Sequence, residues 1–339
     1  MKDNYSAWRV DPADYFKLRD DNERLKFLLK FGVLAPSSHN SQPWSFGVTE
    51  SLILIHKNES RSLPASDVNC RQLYISLGCA LENLIVAADY YGISAEVSYF
   101  GNLKDLIEVS FKFNRPIQFR LNDRLKHLIH SISERRTNRN KYEDTMPDDG
   151  FWSNSVVRVI SLDVRSNFVT VKKNKDAIAD AVLDAMSVAM ADDKFRLELS
   201  EYVKSNYTSS GLGMPGFGMG ISGPISVLIP TIIRKFNMYK LTRKQDEALL
   251  KDYTPMFGIL STHGDDPTSW IKAGQAYQRI ALEAERAGLK TAVMAAAIQI
   301  GDYYKVLQKV LGISERPQVF FRIGYCEKNV HPSPRISLL

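Results

Sequence analysis

The chain has 339 residues, 44% of them hydrophobic and 24% charged, with a formal net charge of +6 and a pI near 9.0. These proportions suit one large or two ordinary globular domains and exclude a disordered or fibrous chain. Its longest apolar stretch, Ile221 to Ile233, is interrupted by Gly223, Pro224 and Pro230 and falls short of the ~20 residues of a bilayer span, so no transmembrane helix is expected.

The first residues, MKDNYSAWRVDPADY, carry acids and no apolar core, unlike a secretory signal, and a cytoplasmic protein is expected. Leu25, Leu28, Leu29 and Leu34 then recur at helical spacing, and Pro36 cannot continue that helix. The chain enters a loop, Ser37 to Gln42, rich in hydroxyls and amides without fixed charge. Such groups suit the edge of a neutral heteroaromatic ring or a polyol, and equally an ordinary surface turn. Trp44 and Phe46 open a strand pair in WSFGVTESLILIHK. A long helix follows from about Cys70 to Tyr91, with Leu73, Leu77, Leu81, Leu84 and Ile85 on one face and Gly78 and Ala80 permitting close backbone approach. Strands are expected near Ala95 to Phe100 and Leu106 to Phe113, and Asn114, Arg115 and Pro116 break the pattern. Residues 1–120 form a first half.

The second half, 121–339, opens with a helix carrying Leu125, Leu128, Ile129 and Ile132, followed by ERRTNRNKYED. Its arginines and Lys141 are the one dense basic cluster, short enough to favour a single phosphate over a nucleic-acid track. A solvated helix end whose cations complement the helix dipole reads equally well. A strand around Val156 to Ile160, a helix around Ala177 to Met190 and a polar helix ending near Ser205 come next. Between Ser209 and Pro224, SSGLGMPGFGMGISGP contains a literal G-x-G-x-x-G but lacks the strand before it and the helix after it that a dinucleotide fingerprint requires. It reads as an apolar flap or a flexible surface loop. PMFGILST is a strand, and a helix from Ser269 to Ala287 has an entrance at Asp266, Pro267 and Thr268 and an exit at Gly288. QVFFRIGY is the last strand. SLGCALENLIVAADYYGISAEV and AGQAYQRIALEAERAGLKTAVM echo one another in order, as an internal duplication would.

Cys70, Cys79 and Cys326 are too few and scattered for a disulfide framework or a zinc cluster, and His127 and His130 have no acid grouped beside them. No metal, no nucleic acid and no membrane partner is expected.

Two of these segments resemble the flavin-binding signatures of the nitroreductase family. Its PS-x-x-N-x-QPW loop is matched by Pro36, Ser37, Ser38, Asn40, Gln42, Pro43 and Trp44, and its R-x-S-x-[RK] signature by Arg135, Thr137 and Arg139, with Arg136 between them. A C-terminal basic residue of the family is matched by Arg335. The resemblance implies an α+β fold of mostly antiparallel central sheets flanked by helices, FMN as cofactor, NAD(P)H as reductant and a small-molecule electron acceptor of nitroaromatic or quinone type. It gives Arg135 and Arg335 to the phosphate, with the hydroxyl of Thr137, and Arg139 to the pyrimidine edge of the flavin. The flavin performs the chemistry at N5, so no catalytic side chain is implied. Where the family has P-x-E-G, this chain reads Val293, Met294, Ala295 and Ala296, so that only the backbones of Ala295 and Ala296 are left to face N5.

The loop lies in the first half and the arginines in the second, which resembles the Acg-type branch of the family: two degenerate halves forming an intramolecular pseudo-dimer with one complete site between them. A monomer follows, with higher oligomers left open. The same branch suggests an alternative, an FMN-binding or sequestering protein with little or no turnover, covered by the Gly- and Met-rich segment.

Overall fold

The computed structural model describes residues 3–100, 106–113, 123–148, 151 and 162–337. β1 (Trp44–Val48), β2 (Leu52–Lys57), β3 (Ile93–Tyr99) and β4 (Leu106–Phe113) form an antiparallel sheet in the order β1-β2-β4-β3. β2 buries Ile53 and Ile55 and leaves their neighbours less covered, the period of a strand with one face on the core. In the second half come β5 (Arg165–Val169), a short parallel pair β6 (Val203–Lys204) and β7 (Met214–Pro215), then β8 (Met256–Thr262), β9 (Leu289–Val293) and β10 (Arg316–Tyr325). β5, β8, β10 and β9 lie side by side in that order, again antiparallel. Every residue of β8 is buried, as its unbroken small and apolar sequence requires.

The helices are α1 (Asp21–Gly32), α2 (Arg71–Tyr90), α3 (Asp123–Glu134), α4 (Lys172–Ala191), α5 (Asp193–Tyr202), α6 (Ile229–Lys235), α7 (Tyr239–Lys251), α8 (Pro267–Arg286) and α9 (Tyr304–Leu311), with single helical turns elsewhere. α8 begins as its sequence indicates: Asp266 caps it by accepting from the Ser269 N–H at 3.1 Å. Gly288 beyond its end has φ +78°.

The two halves share one plan. The shift that carries α2 onto α8 carries Gly92 onto Gly288, both in the left-handed region, and the start of β3 onto the start of β9. The same shift pairs Ile75 with Ile271, Gly78 with Gly274, Cys79 with Gln275, Glu82 with Gln278 and Asn83 with Arg279. The contacts obey it. A Cβ on Gly78 would lie 2.0 Å from the Ile271 carbonyl oxygen, and one on Gly274 would lie 2.0 Å from that of Ile75. Glu82 receives Arg279 Nε at 2.6 Å, while Asn83 Oδ1 receives Gln278 Nε2 at 2.6 Å. Each contact is the other's image under exchange of halves, which is the signature of a two-fold, isologous interface built within one chain. Arg71 meets Asp265 near the starts of both helices and Asn83 meets Gln278 further along, so α2 and α8 run in the same sense.

α2 is long and apolar enough to cross a membrane, but 89% of its most apolar window is buried inside the protein. Its exclusion from water comes from α1, α3 and α8 packed around it. The stretch Ile221 to Ile233 forms a turn at Gly223–Ser226 and the start of α6; α6, α7 and α9 are elements that the sequence pattern does not announce. The expected strand at Val156 to Ile160, the break at Asn114 to Pro116 and the boundary at 120/121 lie outside the described residues.

Candidate functional site

After α1 the chain turns into the loop at Ser37, where His39, Asn40 and Gln42 all hold positive φ of 52°, 54° and 49°. Non-glycine residues adopt this region at a cost, so something must over-determine it. Side-chain bonding does so. Asn40 donates through Nδ2 to the carbonyls of Gly213 and Pro334, both at 2.9 Å, and accepts from Arg335 Nη1 at 2.7 Å. Gln42 donates to the Gly211 carbonyl at 2.7 Å and accepts from the Ile336 N–H at 3.0 Å. Ser37 Oγ accepts from the Gln42 N–H at 2.9 Å.

The same bonds fix the Gly-rich segment. Gly211, Gly213 and the carbonyls of Thr208 and Ser210, which accept from Asn4, are all tied to other parts of the chain. The segment is therefore a pinned roof rather than a free surface loop. β7 and Gly218 within it supply Met214, Pro215 and Gly218 to a cavity wall.

From the second half, α3 delivers the arginines. Beyond its end Thr137 bridges Thr291 of β9, and the Asn138 N–H donates to the Thr291 carbonyl at 3.0 Å, so the segment is held along the sheet edge. Arg135, Arg136, Thr137 and Arg139 then face Pro36, Ser37 and Asn40 across one cavity, which Trp8, Val330, His331, Ser333 and Arg335 close. Among the described residues no carboxylate lines it. Its free volume is about 50 Å³.

The electrostatics of this cavity are one-sided. Arg135 is 3% exposed, and its Nε and Nη1 have no hydrogen-bond partner. Buried donors without acceptors are costly and rare. Arg136 donates to the carbonyls of Ser133 and Arg135 and stacks over Trp8 at 4.1 Å; burial, then the neighbouring Arg135 charge, lowers its pKa to about 10. Arg335 is buried, and burial followed by Arg135 and Arg136 presses its pKa well below the usual arginine value. Both of its terminal nitrogens are committed: Nη2 donates to the carbonyls of Leu34 and Ala35 at the end of the first helix segment. Three crowded cations, with Arg135 Nε and Nη1 and Arg335 Nε left without acceptors, favour an anion in the cavity.

The expected site residues thus divide. Arg135, Arg136, Thr137, Arg139, Pro36, Ser37, Asn40 and Arg335 line the cavity. Ser38 and Gln42 do not: the Ser38 hydroxyl donates to Gln72 at 3.4 Å, and Gln42 ties the roof to the tail. Ala295 and Ala296 begin a helical turn away from it, with Ala296 packed in the core around Phe257 and Phe320. Trp8, His331 and Ser333 are wall residues that the sequence did not indicate, while Met214 comes from the Gly- and Met-rich segment. Trp8 is placed by its indole N–H, which donates to the Ser333 carbonyl at 2.8 Å across almost the whole chain length, a relationship with no local signal.

Among the described residues no group of three or more His, Cys, Asp or Glu is placed to hold a metal. All three cysteines are free thiols, and burial pushes that of Cys79 up to about 12.

Comparison with known proteins completes the description. Residues 164–325 match the nitroreductase family. Over 316 residues, 93% of this chain and 88% of the relative, the chain is 27% identical to a Mycobacterium tuberculosis H37Rv protein named "Putative NAD(P)H nitroreductase Rv3131". It is 23% identical over 319 residues, 91% of each chain, to "Putative NAD(P)H nitroreductase acg" of the same strain. A solved structure of the FMN-dependent nitroreductase NfnB from Mycobacterium smegmatis in complex with NADPH covers 60% of this chain and 88% of its own length, at 15% identity and a TM-score of 0.40. The family match thus covers just under half of the chain, and over nine-tenths of its length the chain resembles Acg-type members of the nitroreductase superfamily.

Proposed function

We propose that the chain binds one FMN in the cavity between its halves and acts as a flavin-dependent NAD(P)H oxidoreductase. The observation that carries this reading is Arg135, buried at the cavity wall with two unpartnered guanidinium nitrogens beside Arg136 and Arg335. A phosphate monoester is the acceptor that such planar, charge-assisted donors fit.

Arg135 and Arg136 would hold the phosphate with the Thr137 hydroxyl beside them, and Arg139 would face the ring. Pro36, Ser37 and Asn40 close the opposite side from the first half. Arg335 contributes through its field and through Asn40, which it orients. When bound, FMN supplies the transfer of hydride from NAD(P)H and of electrons to a nitroaromatic or quinone-type acceptor. The cations of the wall would stabilise negative charge on a group lodged there.

A second reading, storage of FMN with little turnover, is favoured by the enclosure. Met214, Pro215 and Gly218 of the roof lie against the cavity and would cover a group bound there. An absorption spectrum of the purified protein tests the flavin. Flavin bands that survive desalting and bleach with NADPH support the proposal; a protein that stays colourless after incubation with FMN contradicts it. Steady-state NADPH oxidation with menadione separates turnover from storage.

A further inference from the structure

We infer that the face formed by the Gly223–Ser226 turn, α6 and the start of α7 docks on an anionic lipid surface. Two independent properties of that stretch meet in one place. The first is apolar exposure. Ile225, Val227, Leu228, Phe236 and Leu241 are 55–73% exposed. α6 packs one side on α5 and has no buried residue of its own. Isolated exposed apolar residues are ordinary, but a run of large ones on consecutive short elements marks an interaction surface.

The second is charge. From residue 202 to residue 245 there is no aspartate or glutamate, while Lys204, Arg234, Lys235, Lys240, Arg243 and Lys244 are present. These six cations equal the formal excess of the entire chain, so the remainder is neutral. Arg243 is turned to Asp184 at 2.8 Å. Arg234, Lys235, Lys240 and Lys244 are exposed, and none of them meets an acid within salt-bridge distance among the described residues. The stretch as a whole is no richer in cations than the rest of the chain; what sets it apart is the lack of acids, and five of its six cations fall between Arg234 and Lys244, beside exposed leucine, isoleucine and phenylalanine.

Basic side chains interleaved with exposed bulky apolar ones are the chemistry of an interfacial anchor: the apolar groups enter the acyl boundary while the cations meet headgroup phosphates. A second copy of this chain fits less well, because a two-fold contact through this face would oppose like charges. The sequence led to an expectation of no membrane partner, and this exposed face argues against that expectation. The same stretch continues directly into the Gly-rich roof, so docking would set the cavity at the membrane surface.

Flotation of the full-length protein with vesicles of phosphatidylcholine alone, and of phosphatidylcholine mixed equally with phosphatidylglycerol, tests this. Binding to the mixed vesicles is expected to exceed binding to the neutral ones by about tenfold or more, and to weaken with added salt. Leu228→Ser with Leu241→Ser, and separately Lys235→Gln with Lys240→Gln, should each reduce it severalfold. Equal binding to both vesicle types, no binding to either, or binding unchanged in both variants would overturn the inference. So would sedimentation showing that the face is buried in a dimer that the leucine variant dissociates.

Discussion

Gly78 and Gly274 each touch the backbone of the opposite half: Gly78 lies against Ile271, and Gly274 against Ile75. The reciprocity fixes how closely α2 and α8 approach, and with it the separation between the Asn40 loop of one half and the arginines of the other. Gly78→Ala should therefore destabilise the fold toward the upper end of the ~1–3 kcal/mol of overpacking, because the atom in the way is a backbone oxygen that cannot rotate aside. Gly274→Ala should cost a similar amount. Urea unfolding checks both; a cost within experimental error for either would mean that the helices can slide apart freely.

Below the glycines, Glu82 is fully buried and receives Arg279 at 2.6 Å and Gln275 at 3.2 Å. Arg279→Met removes the guanidinium that this buried carboxylate receives and should cost roughly 3–5 kcal/mol. Combining it with Glu82→Leu should recover much of the loss, since the ion pair itself contributes little beyond an apolar replacement. Chemical denaturation of the two variants gives the comparison.

Asn40→Ala removes three hydrogen bonds and places alanine at φ +54°. We expect a loss of roughly 2–4 kcal/mol and faster proteolytic nicking within 211–220, where the roof loses its tether. Asn40→Gly, which accepts the backbone but not the bonds, should show the nicking with less of the strain. Mass spectrometry of limited digests reads the cut site.

Burial, then the charge of Arg139, lowers the His39 pKa from 6.5 to about 4. Between these values the unfolded chain binds a proton that the folded chain does not. Stability therefore rises as pH increases from about 4 to 6.5, and His39 imposes no penalty above that window. His39→Gln should flatten this part of the profile by up to roughly 3 kcal/mol at its acid end. A melting curve taken at several pH values for both proteins decides it; parallel profiles would assign the dependence to other groups.

The fold was largely legible because its strongest signals are periodic. α2 and α8 announce themselves by a long apolar stripe with a cap or glycine at their ends, and β8 and β10 by the short apolar runs in MFGIL and VFFRIGY. α6 and α7 were hidden because α6 buries no residue and α7 only Tyr239 and Leu250, too little for hydrophobic periodicity to mark a buried face. At the site, motif residues could be named, but their direction could not. Asn40 and Gln42 spend their amides on distant backbone groups, Ser38 turns to Gln72, and Ala295 and Ala296 fall in a turn outside the cavity. Positive φ at three non-glycine positions of the loop, His39, Asn40 and Gln42, depends on those same long-range bonds.

The most direct test of the account is a titration of the flavin-free protein with FMN, followed by fluorescence quenching, for the wild type and Arg135→Ala. The account predicts one FMN per chain and a loss of about 1–3 kcal/mol of binding in the variant, with its unfolding midpoint retained. Two FMN per chain, or an affinity unchanged by Arg135→Ala, would contradict it.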